Sequence, residues 1–182
     1  MRAVFLDRDG VIIRKAPEGE YIRDWSEVEF LPGSLEAIGA LHRYGFKVII
    51  VTNQRGVATE KIKLSNLEDI HERMKTAISG DKAVISAIYY CPHDTSENCD
   101  CRKPKPGMLL RAAEAHGLNL SKCWMVGDAG TDIEAGIRAG CKTALISSAF
   151  KLKNLNRKPD VCEQTLAHAA RKILQIESAL NQ

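Results

Sequence analysis

The stretch MRAVFLDRDGVI (Met1–Ile12) decides how the rest of the chain is read. Its apolar run, Ala3-Val4-Phe5-Leu6, has the character of a buried strand and stops at two carboxylates, Asp7 and Asp9, followed by Gly10. In an open α/β sheet the carboxyl ends of the strands are where ligands bind. Two acids one residue apart repel each other unless a cation lies between them. The plainer alternative is a solvated Asp turn after an edge strand, and the remainder of the chain has to choose between the two.

Working outward, strand-like runs alternate with helical patterns. A polar, irregular segment to about Leu31 reads as a loop, with room for a flap. Pro32-Gly33-Ser34 opens a helix with Ser34 as candidate N-cap and Leu35, Ile38 and Leu41 on one face. Phe46–Val51 is a second strand, ending in Thr52-Asn53-Gln54-Arg55-Gly56. Ser65 with Glu68 resembles a capping box for a helix extending to Gly80. Val84–Tyr90 is a third strand, Met108–His116 a short helix, and Trp124–Val126 a fourth strand running into Gly127-Asp128. Thr131–Ala139 is helical, Lys142–Ile146 is a fifth strand, and Glu163 to about Leu180 is a terminal helix. This alternation predicts a three-layer, doubly wound α/β fold with a mostly parallel sheet. Polar clusters then meet along one sheet edge, although they lie far apart in sequence.

At 182 residues the chain is expected to be a single domain, 1–182, with a loop at 91–106 dense in Cys, Pro and charge. The formal net charge of +3 suits a small anionic substrate and is too weak to argue for nucleic acid. Aromatic residues make up 5% of the chain, with no basic stripe interleaved among them, which also excludes a nucleic-acid partner. No apolar run reaches the length of a membrane span, and Asp7-Arg8-Asp9 interrupts the N-terminal run too early for an export signal. A cytoplasmic, monomeric protein with no membrane partner is the expectation. Of the six cysteines, Cys91, Cys99 and Cys101 cluster, which suggests metal rather than disulfides; Cys123, Cys141 and Cys162 are scattered.

Two constellations carry chemistry. Asp7, Asp9, Asp128 and Asp132 offer hard carboxylate oxygens that favour Mg²⁺, while Thr52 adds a hydroxyl and Lys103 a positive charge. Together these are what phosphoryl transfer needs, because the cations offset repulsion between a carboxylate and an anionic phosphate. There is no Gly-rich Walker loop. Asp132 reads equally well as an acid favoured by a helix N-terminus. The second constellation is Cys91-Pro92-His93, five residues, then Cys99-Asp100-Cys101. Cys91, His93, Cys99 and Cys101 match a closed, structural Zn²⁺ site that would staple the loop and steady the adjoining Arg102-Lys103. A strained Cys99–Cys101 disulfide is the alternative. The remaining histidines, His42, His71, His116 and His168, fall on helical patterns and read as surface or helix-packing residues.

The set Asp7-Arg8-Asp9-Gly10-Val11, Val51-Thr52-Asn53-Gln54, Lys103-Pro104 and Gly127-Asp128 with Asp132 resembles the haloacid dehalogenase (HAD) superfamily of aspartyl phosphatases, over residues 1 to about 147. The resemblance implies a Rossmann-like fold, with Asp7 as nucleophile and Asp9 as general acid and then base. It also implies that Thr52 and Lys103 hold the phosphoryl group. Mg²⁺ would be bound by Asp7, the Asp9 carbonyl and Asp128, with Asp132 in support. The zinc loop and the Arg-Lys-Pro run resemble the branch containing D-glycero-D-manno-heptose 1,7-bisphosphate 7-phosphatases and histidinol phosphatases, which have no large cap domain. That implies removal of the 7-phosphate from the heptose bisphosphate, with Asn53, Gln54, Arg55 and Arg102 touching the sugar or its second phosphate. Two positions depart from the branch: Ala129 follows Asp128, and Arg55 follows Asn53-Gln54. Histidinol phosphate is the alternative substrate, for which Glu18, Glu20 and Asp24 would supply acceptors. A non-catalytic, zinc-stapled interaction module is a third reading, opposed by the intact set Asp7, Asp9, Thr52, Lys103 and Asp128.

Overall fold

Ala3, Val4, Phe5 and Leu6 form β1 (Ala3–Leu6) and are fully buried on both faces, as the central strand of a parallel sheet demands. The computed structural model describes residues 1–79, 83–147 and 157–180. Around β1 the chain lays down α1 (Ser34–Arg43), β2 (Lys47–Asn53), α2 (Leu64–Ser79), β3 (Ile85–Cys91), α3 (Gly107–His116), β4 (Trp124–Gly127), α4 (Gly130–Ala139), β5 (Lys142–Ile146), β6 (Val161–Glu163) and α5 (Leu166–Ala179). The sheet order is β3-β2-β1-β4-β5-β6, and every pairing is parallel. This is the doubly wound arrangement with its switch point between β1 and β4.

Alternation along the strands divides the core into two layers. Val4 and Leu6 of β1 join Ile38 and Leu41 of α1, Ile70 and Met74 of α2, and Ile173 of α5. Ala3 and Phe5 face the other way, onto Met108, Leu109 and Ala112 of α3 and Ala135 and Ala139 of α4. Among the described residues, each helix packs on the sheet and none forms a separate cap. No helix among them is long and apolar enough to cross a membrane.

At the amino-terminal end of the sheet, Glu177 of α5 is almost buried. It accepts hydrogen bonds from Trp124 Nε1 at 2.9 Å and Lys142 Nζ at 2.8 Å, and faces Arg2 at 3.4 Å. These contacts tie the last helix beneath β1, β4 and β5.

Three local expectations change. Gly33, not Ser34, caps α1: its φ of 76° makes the entry turn, while Ser34 lies inside the helix with a buried, unpartnered Oγ. Helix α2 begins at Leu64, so Ser65 sits in its first turn rather than ahead of it. The expected end of that helix at Gly80 lies outside the described residues. The terminal helix does not begin at Glu163, because Val161–Glu163 pairs with β5 as an edge strand; Thr165 then caps α5 by accepting from the His168 N–H at 3.2 Å.

Candidate active site at the carboxyl edge of the sheet

The carboxyl ends of β1, β2 and β4 open into a cleft of about 620 Å³, lined among others by Asp7, Asp9, Thr52, Lys103, Asp128 and Asp132. Asp7 follows β1 directly, and its N–H donates to Val126 O of β4 at 2.9 Å. Carboxylate oxygens of Asp7, Asp128 and Asp132 all lie within 4.8 Å of one another. Two glycines make that approach possible. A side chain at Gly10, whose φ is +85°, would collide with the Asp128 carboxylate, and one at Gly127 would overlap Asp132.

Lys103 bridges two members of this trio. Its Nζ reaches Asp7 Oδ1 at 2.8 Å, Asp132 Oδ1 at 2.6 Å and Val51 O at 2.9 Å, which uses all three ammonium hydrogens. Burial opposes the lysine's charge, yet Asp132 and Asp7 hold its pKa above the ordinary value. Burial pushes the Asp7 carboxyl up to about 7; Lys103 pulls against that shift, and Asp132 and Asp9 add to it. Asp7 and Asp132 share Lys103 while Asp128 pairs with the exposed Lys15, so three acids face two lysines, and hard oxygens in that setting fit a divalent cation such as Mg²⁺. Asp132 also accepts from the Ala129 N–H at 3.0 Å, so it serves as a helix-start acid while standing in the acidic trio.

Asp9 is held on the neighbouring wall. Arg8 Nη2 and Nε donate to its two oxygens at 3.0 and 3.1 Å, and Gln54 Nε2 donates at 3.0 Å. Its side chain keeps 22% exposure on the cleft side. Gln54 Nε2 also reaches Thr52 Oγ1 at 2.9 Å, which leaves the threonine hydroxyl hydrogen available to an acceptor in the cleft. Arg8 is buried and further donates to Gln54 Oε1 at 3.1 Å, with His71 Nε2 at 3.4 Å. Burial and the Arg8 charge push the His71 pKa down to about 3, so this imidazole is neutral and accepts from the arginine.

The expected substrate contacts are distributed differently. Gln54 is buried and its amide is spent on Arg8, Asp9 and Thr52. Asn53 clamps the Lys103 main chain. Arg55 pairs with Asp94 at 2.6 Å, and Arg102 donates to His93 O at 3.4 Å; neither belongs to the cleft lining. Glu18 and Glu20 do line it, while Asp24 caps a short 3₁₀ turn (Trp25–Glu27). Arg8 and Lys15 also line the cleft, beyond the residues expected from the sequence. A charged residue between two strand-end acids is a usable sequence signal for Arg8. Nothing local marks Lys15, whose partner is Asp128, 113 positions away.

The cysteine loop begins where β3 ends. Cys91 Sγ lies 3.5 Å from Cys99 Sγ and 3.6 Å from His93 Nδ1; Cys101 Sγ lies 3.4 Å from Cys99 Sγ and 3.2 Å from His93 Nδ1. A tetrahedral Zn²⁺ with Zn–S bonds of 2.3 Å would space its sulfurs about 3.8 Å apart, so the four donors fit a closed site. None of the three thiols is in a disulfide. Burial pushes the Cys91 thiol up to about 12, a cost that a bound cation would reverse.

A haloacid dehalogenase-like hydrolase model matches residues 16–140, and the chain belongs to that family. Two bacterial relatives named D-glycero-beta-D-manno-heptose-1,7-bisphosphate 7-phosphatase are similar along most of their length. The Pseudomonas putida protein is 39% identical, with 86% of this chain and 89% of that protein covered. The Bordetella bronchiseptica protein is 35% identical, with 96% and 99% covered. A crystal structure of D,D-heptose 1,7-bisphosphate phosphatase from B. bronchiseptica, complexed with magnesium and phosphate, superposes with a TM-score of 0.88 at 34% identity. It covers 97% of this chain and 99% of its own.

Proposed function

We propose that this chain is a Mg²⁺-dependent phosphomonoester hydrolase that removes the 7-phosphate of D-glycero-D-manno-heptose 1,7-bisphosphate, in one catalytic domain spanning 1–182. The observation that carries the chemistry is Asp7, at the end of β1, in contact with Lys103 inside a trio of carboxylates. The substrate rests on the names of the relatives similar along nearly the whole chain.

In this reading Asp7 attacks phosphorus and forms an aspartyl-phosphate as the sugar oxygen leaves. Asp9 protonates that oxygen, then takes a proton from the water that hydrolyses the acyl phosphate. Arg8 and Gln54 orient the Asp9 carboxyl through their hydrogen bonds. Thr52 donates its hydroxyl to a phosphoryl oxygen, and Lys103 restrains negative charge at Asp7 as the bond forms. Asp7, the Asp9 carbonyl and Asp128, supported by Asp132, would hold Mg²⁺, which supplies charge neutralisation for an anionic phosphate. Cys91, His93, Cys99 and Cys101 would hold a structural Zn²⁺.

Glu18 and Glu20 on the cleft wall favour a second substrate, the amine-bearing histidinol phosphate. A phosphate-release assay with Mg²⁺ separates the two. Heptose 1,7-bisphosphate is expected to exceed histidinol phosphate and other sugar phosphates in kcat/KM; equal or greater turnover of histidinol phosphate overturns the assignment.

A further inference from the structure

A sugar bisphosphate keeps one phosphate after the other is transferred, and that group needs a cation in the cleft. Six carboxylates line the cleft (Asp7, Asp9, Glu18, Glu20, Asp128 and Asp132), so an unaided wall would repel it. Among the described residues only Arg8, Lys15 and Lys103 contribute cationic side chains to the lining. The side chains of Arg8 and Lys103 are each 2% exposed, and their donors are spent on Asp9, Gln54 and His71 and on Asp7, Asp132 and Val51.

Lys15 differs in every respect. Its side chain is 60% exposed, and the ammonium rests against Asp128 Oδ2 at 3.2 Å, on the solvent side of the acidic trio. It rises from the irregular segment after Ile13, whose residues 15–22 line the cleft together with Thr52 and Asn53. Once Asp128 gives its oxygens to a divalent cation, like charges meet at that carboxylate. The flexible four-carbon stem of Lys15 then lets its ammonium move into the cleft.

We propose that Lys15 is a specificity-determining residue: its ammonium, parked on Asp128 at the cleft mouth, pairs with the phosphate that the substrate retains. This rests on the bisphosphate reading above.

The test uses the full chain with Mg²⁺ as wild type, Lys15→Met and Lys15→Arg. Two readouts are taken: kcat/KM for heptose 1,7-bisphosphate against heptose 7-phosphate, and calorimetric binding of the product heptose 1-phosphate. Loss of a charge-assisted contact is expected to cut the preference for the bisphosphate roughly ten- to hundredfold in Lys15→Met, mainly through KM. Product affinity should weaken in step, and Lys15→Arg should restore part of both. If Lys15→Met keeps the wild-type preference and product affinity, the proposal is overturned. The same holds if the variant only shifts the Mg²⁺ requirement of both substrates together, since that is a role confined to Asp128. A wild type that ignores the bisphosphate overturns the proposed function, and the Lys15 assignment with it.

Discussion

Asn53 grips the main chain of Lys103 from both sides. Its amide nitrogen donates to Lys103 O and its amide oxygen accepts the Lys103 N–H, each at 3.1 Å. The end of β2 thereby sets the position of a lysine that belongs to a different loop. Asn53→Ala is expected to lower kcat/KM about ten- to hundredfold and cost about 1–3 kcal/mol of stability, as two half-buried main-chain groups lose their partner. Steady-state kinetics beside a urea melt checks this, and wild-type kinetics in the variant would show that the clamp does not govern Lys103.

Asp7→Asn is expected to reduce turnover on the order of a thousandfold or more, as loss of a nucleophile does. The fold should survive, because an amide still accepts from Lys103 and removes one of three crowded charges. Thermal melts of metal-free protein are therefore expected to show a Tm equal to or above wild type. Appreciable residual turnover would remove Asp7 from the nucleophile's role.

Cys91 belongs to two structures at once. Its Sγ is part of the Cys/His cluster that could hold a metal ion, while its main chain pairs with Asn53 and accepts the Gln54 N–H at 2.7 Å. Cys99→Ser, or a strong chelator, is expected to lower zinc content, Tm and kcat together. Metal analysis with a melt and an assay on the same sample checks it; unchanged zinc content would contradict the four-ligand assignment.

His71 supplies a pH dependence with a definite sign. Its folded pKa is pushed from 6.5 down to about 3 by burial and by Arg8. Between those values the unfolded chain binds a proton that the folded chain refuses, so stability falls as pH drops from 6.5 towards 3. The slope for one proton is about 1.4 kcal/mol per pH unit. His71→Gln keeps an acceptor for Arg8 and should flatten that part of the curve, measurable by denaturant titration across the range. An unaltered slope would place the acid sensitivity elsewhere.

What was legible in the sequence were features of short range. Ala3–Leu6 followed by two acids identifies the central strand, and the Cys-x-His spacing marks a ligand cluster, because period and spacing are local properties. The caps expected at Ser34 and Ser65 differ in the structure for the opposite reason. A positive-φ glycine and an earlier first turn serve those helices, and residue preference alone does not separate these options. The edge strand Val161–Glu163 has only three residues, too few for a period to show, and it exists because β5 offers it an open edge. The partner of Arg55 is equally invisible locally: Asp94, 39 positions on, holds its guanidinium.

The sheet order also has a consequence for synthesis. Strands β1, β2 and β3 neighbour one another, so the half of the sheet carrying Asp7, Thr52 and the cysteine loop is complete once residue 101 has been made. Asp128 and Asp132 come only with β4 and α4, which dock on the free side of β1. A nascent chain emerging from the ribosome can therefore bring Asp7, Thr52 and the cysteine loop together early. The other two members of the acidic trio join them only when the second half of the sheet docks.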